Sequence, residues 1–278
     1  MKFSLIMATF GRKNEIYTFI NSLLIQTYKH FELIIIDQNH DDIVYQIYEE
    51  YKHIIEIKYI KSEKKGLSYN RNIGLEQCLG DIIAFPDDDC EYVDNTLEKA
   101  VCFFEKNEMF NFYTCNVKDK YGNSSILTGD SYDTEVTLDN FMRTSISFTI
   151  FARALSMQNF KFDTQLGLGA RYGSGEESDL MLFLIKNKNK GFYHANTYIY
   201  HPNSQRSMES LISYGKGFGA FHKKAIVYYR YYFFLPRFFL TLLKESIKIC
   251  LFFPQKKERI AVMKGRICGF IGYSVPKN

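Results

Sequence analysis

Short, mostly apolar runs recur along the first part of the chain, each closed by a polar or turn-forming residue. Phe3–Ala8 reads as a strand and Thr9-Phe10-Gly11-Arg12 as the turn after it. A helix follows, with Ile16, Phe19, Ile20, Leu23 and Leu24 at three- and four-residue spacing. Phe31–Ile36 is a second strand running into Asp37, and Ile43–Tyr51 a second helix. Ile54–Ile60 partly alternates as a third strand, and Ser68 is placed to cap a helix over Tyr69–Gln77. Ile82–Phe85 is a fourth run, stopped by Pro86. Such alternation implies a parallel sheet with right-handed crossovers, in which ligands sit at the carboxyl ends of the strands.

The pattern loosens beyond Cys90. Asp94–Asn107 reads as a helix, Phe110–Val117 as a strand, Asp119–Asn123 as a turn and Leu127–Glu135 as a polar loop. Thr137-Leu138-Asp139 caps a short helix, and the β-branched and aromatic run Ser145–Arg153 reads as a strand. Gly167–Asp179 is glycine-rich; no clear strand leads into it, so a flexible loop over a substrate is expected rather than a dinucleotide fingerprint. Leu180–Lys186 is a helix, and Phe192–Tyr200 a strand with a break near Asn196, ending in His201-Pro202.

The candidate chemistry gathers at the strand ends. Three carboxylates, Asp87-Asp88-Asp89, follow the fourth strand, and their mutual repulsion costs stability unless a cation sits among them. Asp87 and Asp89, two residues apart, leave an extended chain on one side, as hard oxygen ligands for Mg²⁺ or Mn²⁺ shared with a substrate's phosphates. Thr9 and Asp37 also follow strand ends, so these groups should converge on one crevice. Arg12 and Lys13 read as a solvated helix start.

Composition narrows the class. At 46% hydrophobic and 24% charged residues the chain is a folded protein, not a disordered one. A net charge of +4 is too mild to argue for nucleic acid. The six cysteines form no C-x-x-C pair, as expected for reduced thiols in the cytoplasm. The N-terminal run is short and lacks a small-residue cleavage site, so it reads as a strand and not a signal peptide. After Ser207 the sequence turns aromatic and basic. Ile226–Phe253 is interrupted by Arg230, Arg237, Lys244, Glu245 and Lys248, which leaves no apolar span of about 18–20 residues for a transmembrane helix. Aromatic and basic residues together fit a segment lying on an anionic membrane surface, with Lys256, Lys257, Arg259, Lys264 and Arg266 adding attraction. The alternative is that the aromatic face packs on the rest of the chain or on a second copy of it, as a homo-oligomer.

In this order, Thr9, Asp37, Asn70-Arg71-Asn72, Asp87-Asp88-Asp89, Gly175-Glu176-Glu177-Ser178-Asp179 and His201-Pro202 resemble a family-2 glycosyltransferase with the GT-A fold, of the bacterial envelope polysaccharide type. The resemblance covers about the first 205 residues and implies an α/β nucleotide-binding fold with a central, mostly parallel sheet. A catalytic domain over 1–205 and a helical, membrane-associating region over 206–278 are therefore expected. By resemblance, Thr9 and Asp37 hold the base and ribose of a nucleotide-sugar, and Arg71 lies near the nucleotide. Asp87 and Asp89 match the D-x-D pair, with Asp89 the more direct metal ligand, and His201 matches a histidine that reaches metal or diphosphate. Asp88 contacts ribose or sugar hydroxyls, or only spaces its neighbours. Glu177 falls at the position of the catalytic base, with Glu176 and Asp179 as competing acids. Arg206 is a further candidate to close on the phosphates.

The implied reaction is inverting transfer from a nucleotide-sugar, UDP by resemblance, to a hydroxyl of a glycan or lipid-linked oligosaccharide. Mn²⁺ or Mg²⁺ would steady the leaving diphosphate while one carboxylate acts as general base. The enzyme would sit peripherally on the cytoplasmic face of the membrane. Two rival classes are a sugar nucleotidyltransferase, disfavoured by the single glycine in T-F-G-R-K-N-E, and a non-catalytic glycan-binding module, disfavoured by the intact acids.

Overall fold

A computed structural model describes residues 1–123, 129–203, 207–251 and 255–276. They fall into two compact units. The first contains residues 1–65, 69–161 and 183–203; the second contains residues 66–68, 162–182 and 204–278.

In the first unit, β1 (Phe3–Thr9), β2 (Phe31–Asp37), β3 (Ile57–Lys61) and β4 (Ile82–Ala84) lie parallel in the order β3-β2-β1-β4. β1 and β2 are buried along nearly their whole length, which is why their sequences read as continuous apolar runs. α1 (Asn14–Leu24) and α2 (Ile43–Tyr51) cover the sheet with Ile16, Phe19, Ile20, Leu23, Val44 and Ile47. α3 (Leu67–Leu75) leads into β4. Gly74 lets it lie close on the sheet, since a Cβ there would fall 2.3 Å from Ile6 Cγ2.

The remaining strands make the sheet mixed, not mostly parallel. β5 (Glu91–Tyr92), α4 (Thr96–Lys106), β6 (Phe112–Lys118), β7 (Thr134–Val136), α5 (Phe141–Thr144), β8 (Phe151–Arg153), α6 (Glu176–Lys186) and β9 (Gly191–Tyr200) follow along the chain. β8 inserts antiparallel between β4 and β6; β9 runs parallel to β6 and carries β5 and β7 antiparallel. The run Ser145–Arg153 is not one strand. Thr149 turns back to hydrogen-bond the backbone of Ile146 (3.2 and 2.9 Å), so Ser147–Thr149 is a 3₁₀ turn and only Phe151–Arg153 pairs. The break expected near Asn196 is a shift in the β6–β9 register, from Cys115 opposite His194 to Asn116 opposite Tyr198. β3 starts at Ile57, because Ile54 is still bonded to Tyr51 at the end of α2. Ser68 is no cap: it lies inside α3, and its hydroxyl donates to Leu166 O (2.6 Å). Leu127 and Thr128 of the expected polar loop fall outside the described residues, and β7 takes up its end.

The second unit is built on α7 (Met208–Val227), α8 (Phe234–Cys250) and α9 (Lys256–Gly272). The backbones of α7 and α9 touch: a Cβ on Gly219 would meet Arg266 O at 2.0 Å, and one on Gly269 would meet Lys216 O at 1.9 Å. The glycine-rich stretch packs against α7 through Gly173, beside Ser213, and Gly175, beside Gly217 and Phe221. That stretch is therefore a pinned connection and not a free flap. Its left-handed positions, Gly167, Gly169 and Gly175, are ones that L side chains rarely adopt. Asp163, just before this stretch, and Asp179, at its end, share Lys224 Nζ (3.0 and 2.8 Å); Tyr273 donates to Asp163 and Tyr229 to Asp179.

α8 buries Phe234 and Phe238 and turns a different row to solvent. Leu235, Phe239, Leu243, Ile247 and Leu251 recur every four residues and are 40–64% exposed, with Leu240 beside them. Arg237, Lys244 and Lys248, at helical spacing, run along one border of this row. Among the described residues no helix is long and apolar enough to cross a membrane.

Candidate active site

β1 and β2 pair so that Thr9 faces Asp37, and both are fully buried at the carboxyl ends of their strands. β4 ends one strand away, and the chain leaves it through Phe85 and Pro86 into the aspartates. The Thr9 hydroxyl donates to Asp88 Oδ2 (2.6 Å). Arg71, 1% exposed on α3, donates from Nη2 to Asp87 Oδ1 (2.9 Å). Asp89 has a basic side chain at each oxygen: Arg12 Nη2 lies 2.9 Å from Oδ2 and His201 Nε2 lies 3.2 Å from Oδ1. Of the groups expected to converge at the strand ends, Thr9 thus contacts the aspartates directly, whereas Asp37, opposite Thr9 in register, bonds Asn39, Tyr59 and Lys61 instead.

His201 reaches Asp89 through strand register. β5 begins two residues after Asp89, β9 ends one residue before His201, and Glu91 pairs with Tyr200. The backbone of His201 donates to Lys118 O (3.0 Å), and its ring stacks on Phe148 (centroids 4.8 Å apart, planes 9° apart). Nδ1 lies 2.8 Å from Pro202 O, an acceptor only, so the ring proton is on Nδ1 and Nε2 faces the aspartates.

Burial and charge oppose each other across this group. Burial pushes the Asp88 carboxyl up to about 7, helped by the Asp87 and Asp89 charges and resisted by the Thr9 hydrogen bond and Arg12. For Asp89 burial also raises the pKa, but the hydrogen bond and charge of His201, with Arg12, outweigh it and hold the carboxyl below its usual range. His201 is lowered by burial and raised more strongly by Asp89. Asp37 is held down despite burial because both oxygens are filled: Asn39 donates twice to Oδ1 (2.9 and 2.8 Å), while Tyr59 (2.8 Å) and Lys61 (2.9 Å) donate to Oδ2.

Ligand atoms of Asp87, Asp89 and His201 lie within 4.8 Å of one another. Two carboxylate oxygens and an imidazole nitrogen whose second nitrogen is fixed by a carbonyl fit a divalent cation.

The three candidate acids at the start of α6 are not alike. Glu176 and Glu177 open α6; Glu176 is buried, and Glu177 is half-buried. Asp179 is 1% exposed and held by Lys224 and Tyr229; its burial raises its pKa against the pull of Lys224. Arg206 lies outside the described residues. Sequence reasoning missed Arg12, taken for a solvated helix start, and the Tyr59, Lys61 and Asn39 partners of Asp37. Lys61 ends β3 opposite Asp37 in register, a signal that a correct strand boundary would have exposed.

An α/β sheet with an aspartate triplet, a buried arginine and a histidine gathered at its strand ends is the arrangement of a GT-A-type glycosyltransferase. A family model for Glycosyl transferase family 2 matches residues 4–161, and the chain belongs to that family. It is 27% identical over 195 residues to the GalNAc(5)-diNAcBac-PP-undecaprenol beta-1,3-glucosyltransferase of Campylobacter jejuni, covering 67% of this chain and 60% of that protein. The fold matches S. aureus TarS 1-349 in complex with UDP-GlcNAc (TM-score 0.67, 21% identity, 82% of this chain and 67% of that one). It also matches the mannosyltransferase PcManGT from Pyrobaculum calidifontis in complex with GDP-Man and Mn²⁺ (TM-score 0.70, 12% identity, 98% and 88%). At these identities the two structures speak for the fold alone. The chain spans about a fifth of the length of two Rickettsia glycosyltransferases that it also matches.

Proposed function

We propose that the chain moves a sugar from a UDP-linked donor to a hydroxyl of a lipid-linked glycan, with inversion at the anomeric carbon, in the assembly of a bacterial envelope polysaccharide. The observation that carries this reading is the Asp87–Asp89–His201 donor set beside the buried Arg71. The Campylobacter jejuni relative is named for transfer of glucose to an undecaprenol-linked glycan, which supports the acceptor class.

A Mn²⁺ or Mg²⁺ ion held by Asp87, Asp89 and His201 would stabilise the charge that grows on the departing diphosphate. The imidazole in the set favours Mn²⁺ of the two. Arg71 fixes Asp87 in one orientation, and the Pro202 carbonyl fixes the tautomer of His201. Thr9, Asp37 and Asp88 are assigned to the nucleoside and sugar hydroxyls, with Asn39 and Lys61 as the donors that Asp37 orients. Glu177 is assigned as general base. Of the three acids it is neither committed to an internal ion pair, as Asp179 is, nor buried, as Glu176 is. It stands in the first turn of α6. Attack by the activated hydroxyl opposite the leaving group inverts the anomeric centre.

Residues 208–276 are proposed to rest on the anionic inner face of the membrane through the exposed row of α8. Each Leu or Ile moved out of water contributes roughly 1–2 kcal/mol, and each basic residue near the surface about 1 kcal/mol. Five apolar and three basic side chains are enough for reversible docking.

Glu177→Gln tests the chemical assignment. The variant should bind donor and Mn²⁺ as the wild type does while turnover falls roughly 100- to 10,000-fold. Near-wild-type turnover would remove Glu177 from the role.

A further inference from the structure

The aspartate triplet carries two guanidinium groups of different character. Arg71 is 1% exposed and built into the site on Asp87. Arg12, 41% exposed, follows β1 and reaches in from the surface: Nη2 lies 2.9 Å from Asp89 Oδ2, Nε 3.8 Å from Asp88 Oδ1, and Nη1 2.9 Å from Glu15 Oε1. The Glu15 contact is an exposed pair of little worth by itself. The contacts to Asp88 and Asp89 are different, because they neutralise carboxylates that otherwise repel one another.

Arg12 takes the one oxygen of Asp89 that His201 does not. A divalent cation on Asp87, Asp89 and His201 would therefore sit close to a fixed positive charge. Binding of the ion alone is weakened by that repulsion. A diphosphate reverses the balance, since its anionic oxygens are attracted to ion and guanidinium together. With its side chain 41% exposed, Arg12 can turn from the carboxylates to such a ligand at small cost, whereas Arg71, 1% exposed, cannot.

Resting on the glycosyltransferase reading above, we propose that Arg12 competes with a metal ion for the aspartates and couples metal binding to diphosphate binding. It holds Asp88 and Asp89 when no donor is present, disfavours the metal alone, and joins the metal on the diphosphate when the nucleotide arrives. The coupling is reciprocal by linkage, so UDP and Mn²⁺ each tighten the other by the same factor.

The test is Mn²⁺ affinity of the whole protein, measured by titration calorimetry with and without saturating UDP, for wild type, Arg12→Gln, Arg12→Lys and Glu15→Gln. In the wild type UDP should tighten Mn²⁺ at least tenfold. Arg12→Gln should bind Mn²⁺ alone several-fold more tightly, bind UDP with Mn²⁺ more weakly, and lose about tenfold of the coupling. Arg12→Lys should keep part of the coupling, and Glu15→Gln all of it. Arg12→Gln with coupling within twofold of wild type, or with weaker binding of Mn²⁺ alone, overturns the proposal. If the wild type binds Mn²⁺ and UDP and only the Arg12 effect is missing, the glycosyltransferase reading stands without this inference. If the wild type binds neither, both fall.

Discussion

His222, on α7, shows how far one side chain's behaviour is set by its neighbours. Its ring lies among Phe218, Phe221, Phe234 and Phe238, and its Nδ1 is 2.9 Å from Phe218 O. Burial in this aromatic shell, with Arg266 nearby, pushes the imidazole down from 6.5 to about 4. The folded state holds it neutral, so its contribution to stability is complete above the unfolded pKa and is lost as pH falls from 6.5 toward 4. Between pH 7 and pH 5 the wild type should lose about 2 kcal/mol of unfolding free energy that His222→Phe does not lose. Urea unfolding of both proteins at the two pH values checks this; equal losses would contradict it. At this scale the sequence was informative where chemistry follows a strand end. Thr9, Asp37 and Asp87–Asp89 could be named in advance because each stands just past an apolar run. It was uninformative where a partner comes from far along the chain. Nothing near Asp179 announces Lys224 or Tyr229, and nothing near Arg12 announces Asp89.

Among the elements, long buried strands and amphipathic helices were legible, and short strands were not. β1, β2 and α2 stand almost where the pattern put them, because burial on both faces writes a continuous apolar run and burial on one face a helical period. β5 has two residues and β7 and β8 three each, too few to show a period. Yet β5 and β9 together bring His201 to Asp89, and β8 makes the sheet mixed. The contact of α7 and α9 was equally hidden, since a glycine inside a helix, ordinarily weakening it, gives no sign that Gly219 and Gly269 are the points where two backbones meet. α8 carries the prediction at this scale. The whole chain should co-sediment with anionic vesicles in low salt, and a Leu243→Asp, Ile247→Asp double variant should bind at least tenfold less while keeping its melting temperature. Unchanged binding by the double variant would sink the assignment of this face.

Over the whole molecule, the candidate residues fall in both compact units. The first holds the aspartates, Arg71, Arg12 and His201; the second holds Glu176, Glu177 and the helices α7–α9. A single cut near residue 205, as the change of composition suggested, differs from this packing. Residues 162–182 join the C-terminal helices through Asp163, Asp179 and Lys224, a buried pairing in which freeing one partner costs several kcal/mol. The most direct test of the central claim is release of UDP from a panel of UDP-sugars by the whole protein, with Mn²⁺, with EDTA, and in Asp89→Ala. At least one UDP-sugar should be turned over with Mn²⁺, and both EDTA and Asp89→Ala should reduce that turnover at least 100-fold. Turnover that persists with EDTA and in Asp89→Ala would contradict a metal-dependent transferase built on these aspartates.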